Sequence, residues 1–83
     1  MRRDSHLLED IRIAGQDIAE FIGEMRLTDF LDDAKTQAAV ERELIVIGEA
    51  SNRLSAAFKA AHPEVPWKRL PQIRNFYVHG YER

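Results

Sequence analysis

The chain has 83 residues, enough for one small core and too few for two. Apolar side chains make up 45% and charged ones 31%, a balance that points to a soluble globular domain and excludes a disordered chain. The absence of cysteine excludes disulfides, thiolate metal sites and a cysteine nucleophile.

The longest apolar run, Leu44-Ile45-Val46-Ile47, is far short of the ~20 residues that a membrane helix needs. The opening Met1-Arg2-Arg3-Asp4 lacks the apolar stretch of a secretion signal. The expectation is therefore a cytoplasmic protein with no membrane partner. Net charge is −2, but the charges are unevenly placed. Residues 1–58 carry 7 basic and 12 acidic side chains, whereas residues 59–83 carry Lys59, Lys68, Arg69, Arg74 and Arg83 against Glu64 and Glu82. A basic segment on an acidic body suits a phosphate-bearing ligand, although an ordinary solvated surface also accounts for it.

In chain order, Leu7, Leu8, Ile11, Ala14, Ile18, Phe21, Ile22 and Met25 recur at steps of three and four. That spacing predicts an amphipathic helix over Ser5 to Met25, capped by Asp4 or Ser5. Gly15 and Gly23 would weaken it or allow close helix approach. Thr28 reads as the N-cap of a short helix in Thr28-Asp29-Phe30-Leu31-Asp32-Asp33. A long helix follows from Lys35 to Ala61, with Ala39, Val40, Leu44, Ile47, Leu54, Ala57, Phe58 and Ala61 on its apolar face. Pro63 ends it. His62 to Trp67 reads as a loop, Pro66 as the opening of a helical turn, and Leu70-Pro71 as another short turn. A last helix begins near Gln72. The fold class is all-α, an antiparallel helical bundle. The expectation is one domain over 1–83 that lacks its last helix, because a four-helix bundle would need another long helix where the sequence stops.

No glycine-rich phosphate loop, His-Glu-x-x-His or calcium loop occurs, and neither a metal nor another cofactor is expected. The residues with chemical potential are Arg74-Asn75-x-x-x-His79-x-Tyr81. Histidine suits proton transfer near neutral pH, and arginine holds phosphate oxygens. Together they can move a proton at a 2′-hydroxyl and stabilise charge at phosphorus. On one ideal helix, five residues place Arg74 and His79 about 140° apart. They converge only if the helix breaks or begins between them, or if a second chain completes the site. On spacing alone, a surface arginine, a helix-terminal histidine and two part-buried tyrosines fit as well.

Three stretches resemble the HepT-like family of the HEPN superfamily. They are Ile47-Gly48-Glu49-Ala50, Pro63-Glu64-Val65-Pro66-Trp67 and Arg74-Asn75-Phe76-Tyr77-Val78-His79-Gly80-Tyr81. The last fits an Arg-x4-His-x-Tyr motif at every fixed position, and the Thr28–Asp33 segment lies in the expected place. The resemblance implies an all-helical two-fold dimer, or a higher even oligomer. Pairs of Arg-x4-His motifs would meet in one interface cleft, in a metal-independent ribonuclease acting on RNA, with tRNA one possible substrate. It implies His79 as general acid or base, Arg74 as phosphate clamp and Asn75 in support. It also implies an MNT-type nucleotidyltransferase antitoxin as partner, which transfers AMP from ATP to Tyr81. The added charge would repel RNA phosphate. The departure is length: family members continue through a helix after the motif tyrosine; a native end at Arg83 would imply a weakened fold and lost activity, whereas a longer native chain would leave the implied roles intact.

Several other residues have structural expectations. Trp67 reads as a packing anchor rather than a base-stacking platform. Gly48 and Ala50 read as permitting close helix packing, and Glu49 either as a buried ion-pair partner for an arginine such as Arg74, the favoured reading, or as simply exposed. His6 and His62 read as surface residues. The alternative to a toxin is a catalytically inactive helical module that dimerises or binds the antitoxin. A DNA-binding domain is disfavoured, since no basic recognition helix follows a turn and the long helix carries Glu41, Glu43 and Glu49.

Overall fold

The computed structural model describes residues 2–72. Within them the chain is helical and has no strand, in the order α1 (Arg2–Ile22), α2 (Leu27–Leu31), α3 (Ala34–Arg53) and α4 (Ala56–Ala61). Helical backbone resumes at Leu70. The expected start of the last helix, at Gln72, falls within that turn, and its continuation lies outside the described residues.

The apolar stripe predicted for the first helix is the face that packs. Leu7 and Ala14 are buried, and α1 lies along α3. The pair is antiparallel. Asp4, at the start of α1, bonds to Ser55 just past the end of α3, and Asp17, further along α1, meets Glu43 in the middle of α3. Leu7, Ala50 and Leu54 form the core, with Ile11, Phe58 and Trp67 packed against it. The core therefore sits at the end where α1 begins and α3 finishes.

Four boundaries differ from those expected. First, α1 starts at Arg2, so Asp4 lies inside its first turn and neither Asp4 nor Ser5 stands at its cap. Asp4 instead turns inward to a partner 51 residues away, a contact that no local pattern encodes. Second, α1 ends at Ile22 and not Met25. Gly23 takes φ +53°, the left-handed conformation that closes helices, and its N–H bonds to the Ala19 carbonyl at 2.9 Å. Gly23 is a stop signal here, not an interior weakness.

Third, α2 begins one residue before Thr28. Arg26 occupies the cap position, and its N–H donates to the Asp29 carboxylate at 3.0 Å. Asp33 caps α3, accepting the Thr36 N–H at 3.0 Å and the Thr36 hydroxyl at 2.8 Å. These bonds, led by the backbone one, lower the pKa of Asp33 below the ordinary carboxylate value.

Fourth, the helix expected over Lys35–Ala61 is two helices. Leu54 and Ser55 are extended, with ψ of 148° and 152°. Ser55 then caps α4, its hydroxyl accepting the Phe58 N–H at 3.1 Å. The apolar pattern continues through the break because Leu54 and Phe58 still reach the same core. Periodicity reports which residues are buried, not whether the backbone between them is continuous. As expected, the helical run ends just before Pro63, with His62 as the C-cap of α4.

Candidate functional site

The motif residues Arg74, Asn75, His79 and Tyr81 lie outside the described residues, as does the expected partnership of Arg74 with Glu49. The structure does describe the segment that leads to them, from α4 to Gln72, and the surface around it.

Trp67 holds this segment in place. Its indole N–H donates to the His62 carbonyl at 2.9 Å, and its ring meets Phe58 edge-on at 6.0 Å. Phe58 also contacts the His62 ring at 4.6 Å. The indole is thus tied at its polar tip and packed against the Leu7–Ala50–Leu54 core, which is the anchoring role expected of it. Pro66 opens a turn as expected: the Arg69 N–H returns to the Pro66 carbonyl at 2.9 Å, and the Gln72 N–H to the Arg69 carbonyl at 3.1 Å. Lys68 and Arg69 are exposed on this turn.

Beside the turn lies an open groove of about 840 Å³. Lys59, Lys68 and Arg69 are on its walls, Trp67 and Pro66 form its apolar side, and Gln72 is on its rim. Lys59 is fixed there, its ammonium donating to the Asn52 carbonyl at 3.0 Å. A second groove, of about 620 Å³, is lined by Arg3, His6, Leu7 and Arg53. Among the described residues neither groove has an Asp or Glu in its walls.

The acids are engaged elsewhere. Asp4 is buried, accepting the Ser55 hydroxyl at 2.6 Å and the Ser55 N–H at 2.9 Å, which hold its pKa below the ordinary value. Glu64 faces the His62 ring at 3.3 Å, and its pKa is lowered chiefly by a bond from its own backbone N–H, with His62 adding to the effect. Glu43 is buried in α3 against Asp17 of α1. The hydrogen bond that the protonated Glu43 carboxyl donates to Asp17, then burial, then the neighbouring charge raise its pKa, against an opposing pull from Arg42 at 3.7 Å. Sequence reading missed this acid pair, because two carboxylates 26 positions apart carry no local signature.

Glu49 is exposed and not buried, the second of the two placements weighed for it; it lies beside a small groove with Asp10 and Arg53. His6 and His62 are on the surface, as expected. Gly48 and Ala50 are buried in α3, consistent with close packing there. Among the described residues no group of three His, Asp or Glu is placed to hold a metal ion, and no helix is long and apolar enough to cross a membrane.

Residues 11–83 match the ribonuclease HepT-like family. The chain belongs to this family. A Thermococcus cleftensis protein named "Probable ribonuclease HepT" is 45% identical over 80 residues, which is 96% of this chain and 73% of the relative. Two Methanocaldococcus jannaschii proteins, each named as a candidate RNase, are 43% and 35% identical over 89% of this chain, and it covers 61% and 68% of them. No solved structure matches the chain. Membership in the HepT-like family supports a ribonuclease function and bears out the resemblance drawn from the three sequence stretches. The all-helical fold agrees with it.

Proposed function

We propose that this HepT-like chain is the ribonuclease toxin of a toxin–antitoxin pair and cuts RNA without a metal ion. The observation that carries this reading is the family match over residues 11–83, a span that includes the whole Arg74-to-Tyr81 segment. The RNA 2′-hydroxyl loses its proton to His79 as its oxygen attacks the adjacent phosphorus. Arg74 stabilises the negative charge that builds on the phosphoryl oxygens. The bond to the 5′-oxygen breaks, that oxygen takes up a proton, and a 2′,3′-cyclic phosphate remains on the upstream fragment. Asn75 supports the arrangement. A two-fold dimer brings paired motifs into one cleft and removes the 140° problem of a single helix. An MNT-type nucleotidyltransferase antitoxin silences the site by placing AMP on Tyr81, whose phosphate repels RNA and fills the cleft. The one-domain reading of 1–83 and the cytoplasmic location belong to this proposal.

The test is cleavage of purified tRNA and total RNA in excess chelator by wild type and His79→Ala. Cleavage by wild type alone is the expected result. Equal cleavage by both proteins would sink the assignment of His79. Inactivity of both, with unmodified Tyr81 verified by mass, would favour the inactive antitoxin-binding module.

A further inference from the structure

The two grooves at the core end of the bundle are cationic in a chain whose net charge is negative. Arg3, His6 and Arg53 line one; Lys59, Lys68 and Arg69 line the other; the last turn of α3 separates them, with Asn52 facing one groove and Arg53 the other. Asp10 and Glu49 share a small groove with Arg53, whereas no carboxylate lines the Lys59–Lys68–Arg69 groove. Asp4 is buried against Ser55, and Glu64 turns to His62. Among the described residues neither Lys68 nor Arg69 is paired with a carboxylate.

The larger groove is also built to hold its charges in place. Trp67 is bonded at its N–H and packed on Phe58, so the turn that displays Lys68 and Arg69 cannot shift without breaking core contacts. Lys59 is held by the Asn52 carbonyl on the facing wall. The groove rim ends at Gln72, two residues before Arg74 in sequence.

We propose that the Lys59–Lys68–Arg69 groove is the track on which single-stranded RNA is held by its phosphates, with Arg3 and Arg53 extending it across the end of α3. This rests on the ribonuclease reading above and adds the residues that grip substrate away from the bond that is cut. Grip is through charge, so it is independent of base sequence and sensitive to salt.

The experiment uses the full chain in a His79→Ala background, so that RNA is bound and not consumed. A labelled mixed-sequence 15-nucleotide RNA is titrated by fluorescence anisotropy across a salt series. K68A/R69A is compared with R12A/K35A, which removes two exposed cations away from the groove. All four residues are exposed, and melting curves check that each variant is folded. The groove variant is expected to bind about tenfold more weakly than the control and to lose about 1.4 from the slope of log affinity against log salt, at about 0.7 per single-strand phosphate contact. K68R/R69K restores both. Equal binding by the two double variants overturns the groove and leaves the ribonuclease reading intact. Absence of RNA binding by the parent protein, with Tyr81 verified unmodified by mass, overturns that reading itself.

Discussion

At the residue scale, polar contacts at the two ends of α3 hold the helices in place, and their protonation makes stability depend on pH. Asp4 accepts two bonds from Ser55, and Asp33 accepts two from Thr36. Both carboxyls have pKa values lowered by folding. Their contribution is complete above the unfolded carboxylate pKa and is lost as pH falls through the lower folded values. Asp4→Asn is expected to lower the melting temperature at pH 7 and to flatten the acid limb of stability; an unchanged limb would show that Asp4 is not among the groups that titrate there.

Glu43 works in the opposite direction. Its pKa is raised, so the folded state holds a proton that the unfolded chain releases, and stability falls as pH rises from the ordinary glutamate value through the raised one. Glu43→Gln keeps a hydrogen-bonding group beside Asp17 without the second charge. The variant is expected to melt higher than wild type at pH 8 and to show a smaller advantage at pH 5. Thermal melts at the two pH values decide it, and a gain that does not grow with pH would reject a shared proton between the two acids.

At the element scale, the break between α3 and α4 is the feature that sequence reading did not find. The positions on the buried face were legible: Val40, Leu54 and Phe58 lie where periodicity places them. The local marks of the break were also present, since Ser55 is a favoured N-cap residue, but a serine inside a long apolar pattern has no priority over that pattern. In the fold Ser55 is tied to Asp4 through both its N–H and its hydroxyl, and no local rule connects residues 4 and 55. Ser55→Ala removes the cap of α4 and the hydroxyl that bonds Asp4. Loss of the cap alone costs about 0.5–2 kcal/mol, so the melting temperature is expected to fall by several degrees. A neutral substitution would mean that the extended Leu54–Ser55 segment is held by packing alone.

The same scale distinguishes the two glycines of the first helical stretch. A Cβ at Gly15 meets nothing within 4 Å, so that glycine serves no close approach in the described chain, contrary to one of the two roles weighed for it. Gly15→Ala is expected to stabilise the protein by about 0.5–1 kcal/mol, through better helix propensity and a less flexible unfolded chain. Gly23→Ala is expected to destabilise it, because φ +53° disfavours any residue with a Cβ. Denaturant midpoints of the two variants should move in opposite directions.

At the scale of the whole molecule, the question is how an Arg-x4-His motif becomes one site. The family was legible because stretches of fixed residue types lie close together in sequence, and the family match spans them. Whether Arg74 and His79 converge is not legible in the sequence, because helical spacing sets the two side chains apart and a partner's contribution would leave no trace in a single sequence. The proposed two-fold dimer makes a direct prediction. Arg74→Ala and His79→Ala are each inactive as homodimers. In a heterodimer of the two, one chain contributes His79 and the other Arg74, so one intact pair remains across the interface. An equimolar mixture that exchanges freely is half heterodimer with one pair of two intact, so about a quarter of wild-type cleavage is expected. Mixing after unfolding and refolding provides the exchange, and mixing without it is the control. Recovered cleavage places the reacting arginine and histidine on different protomers. Continued inactivity, with heterodimers verified by mass, would place both on the same chain and require the backbone to break between residues 74 and 79.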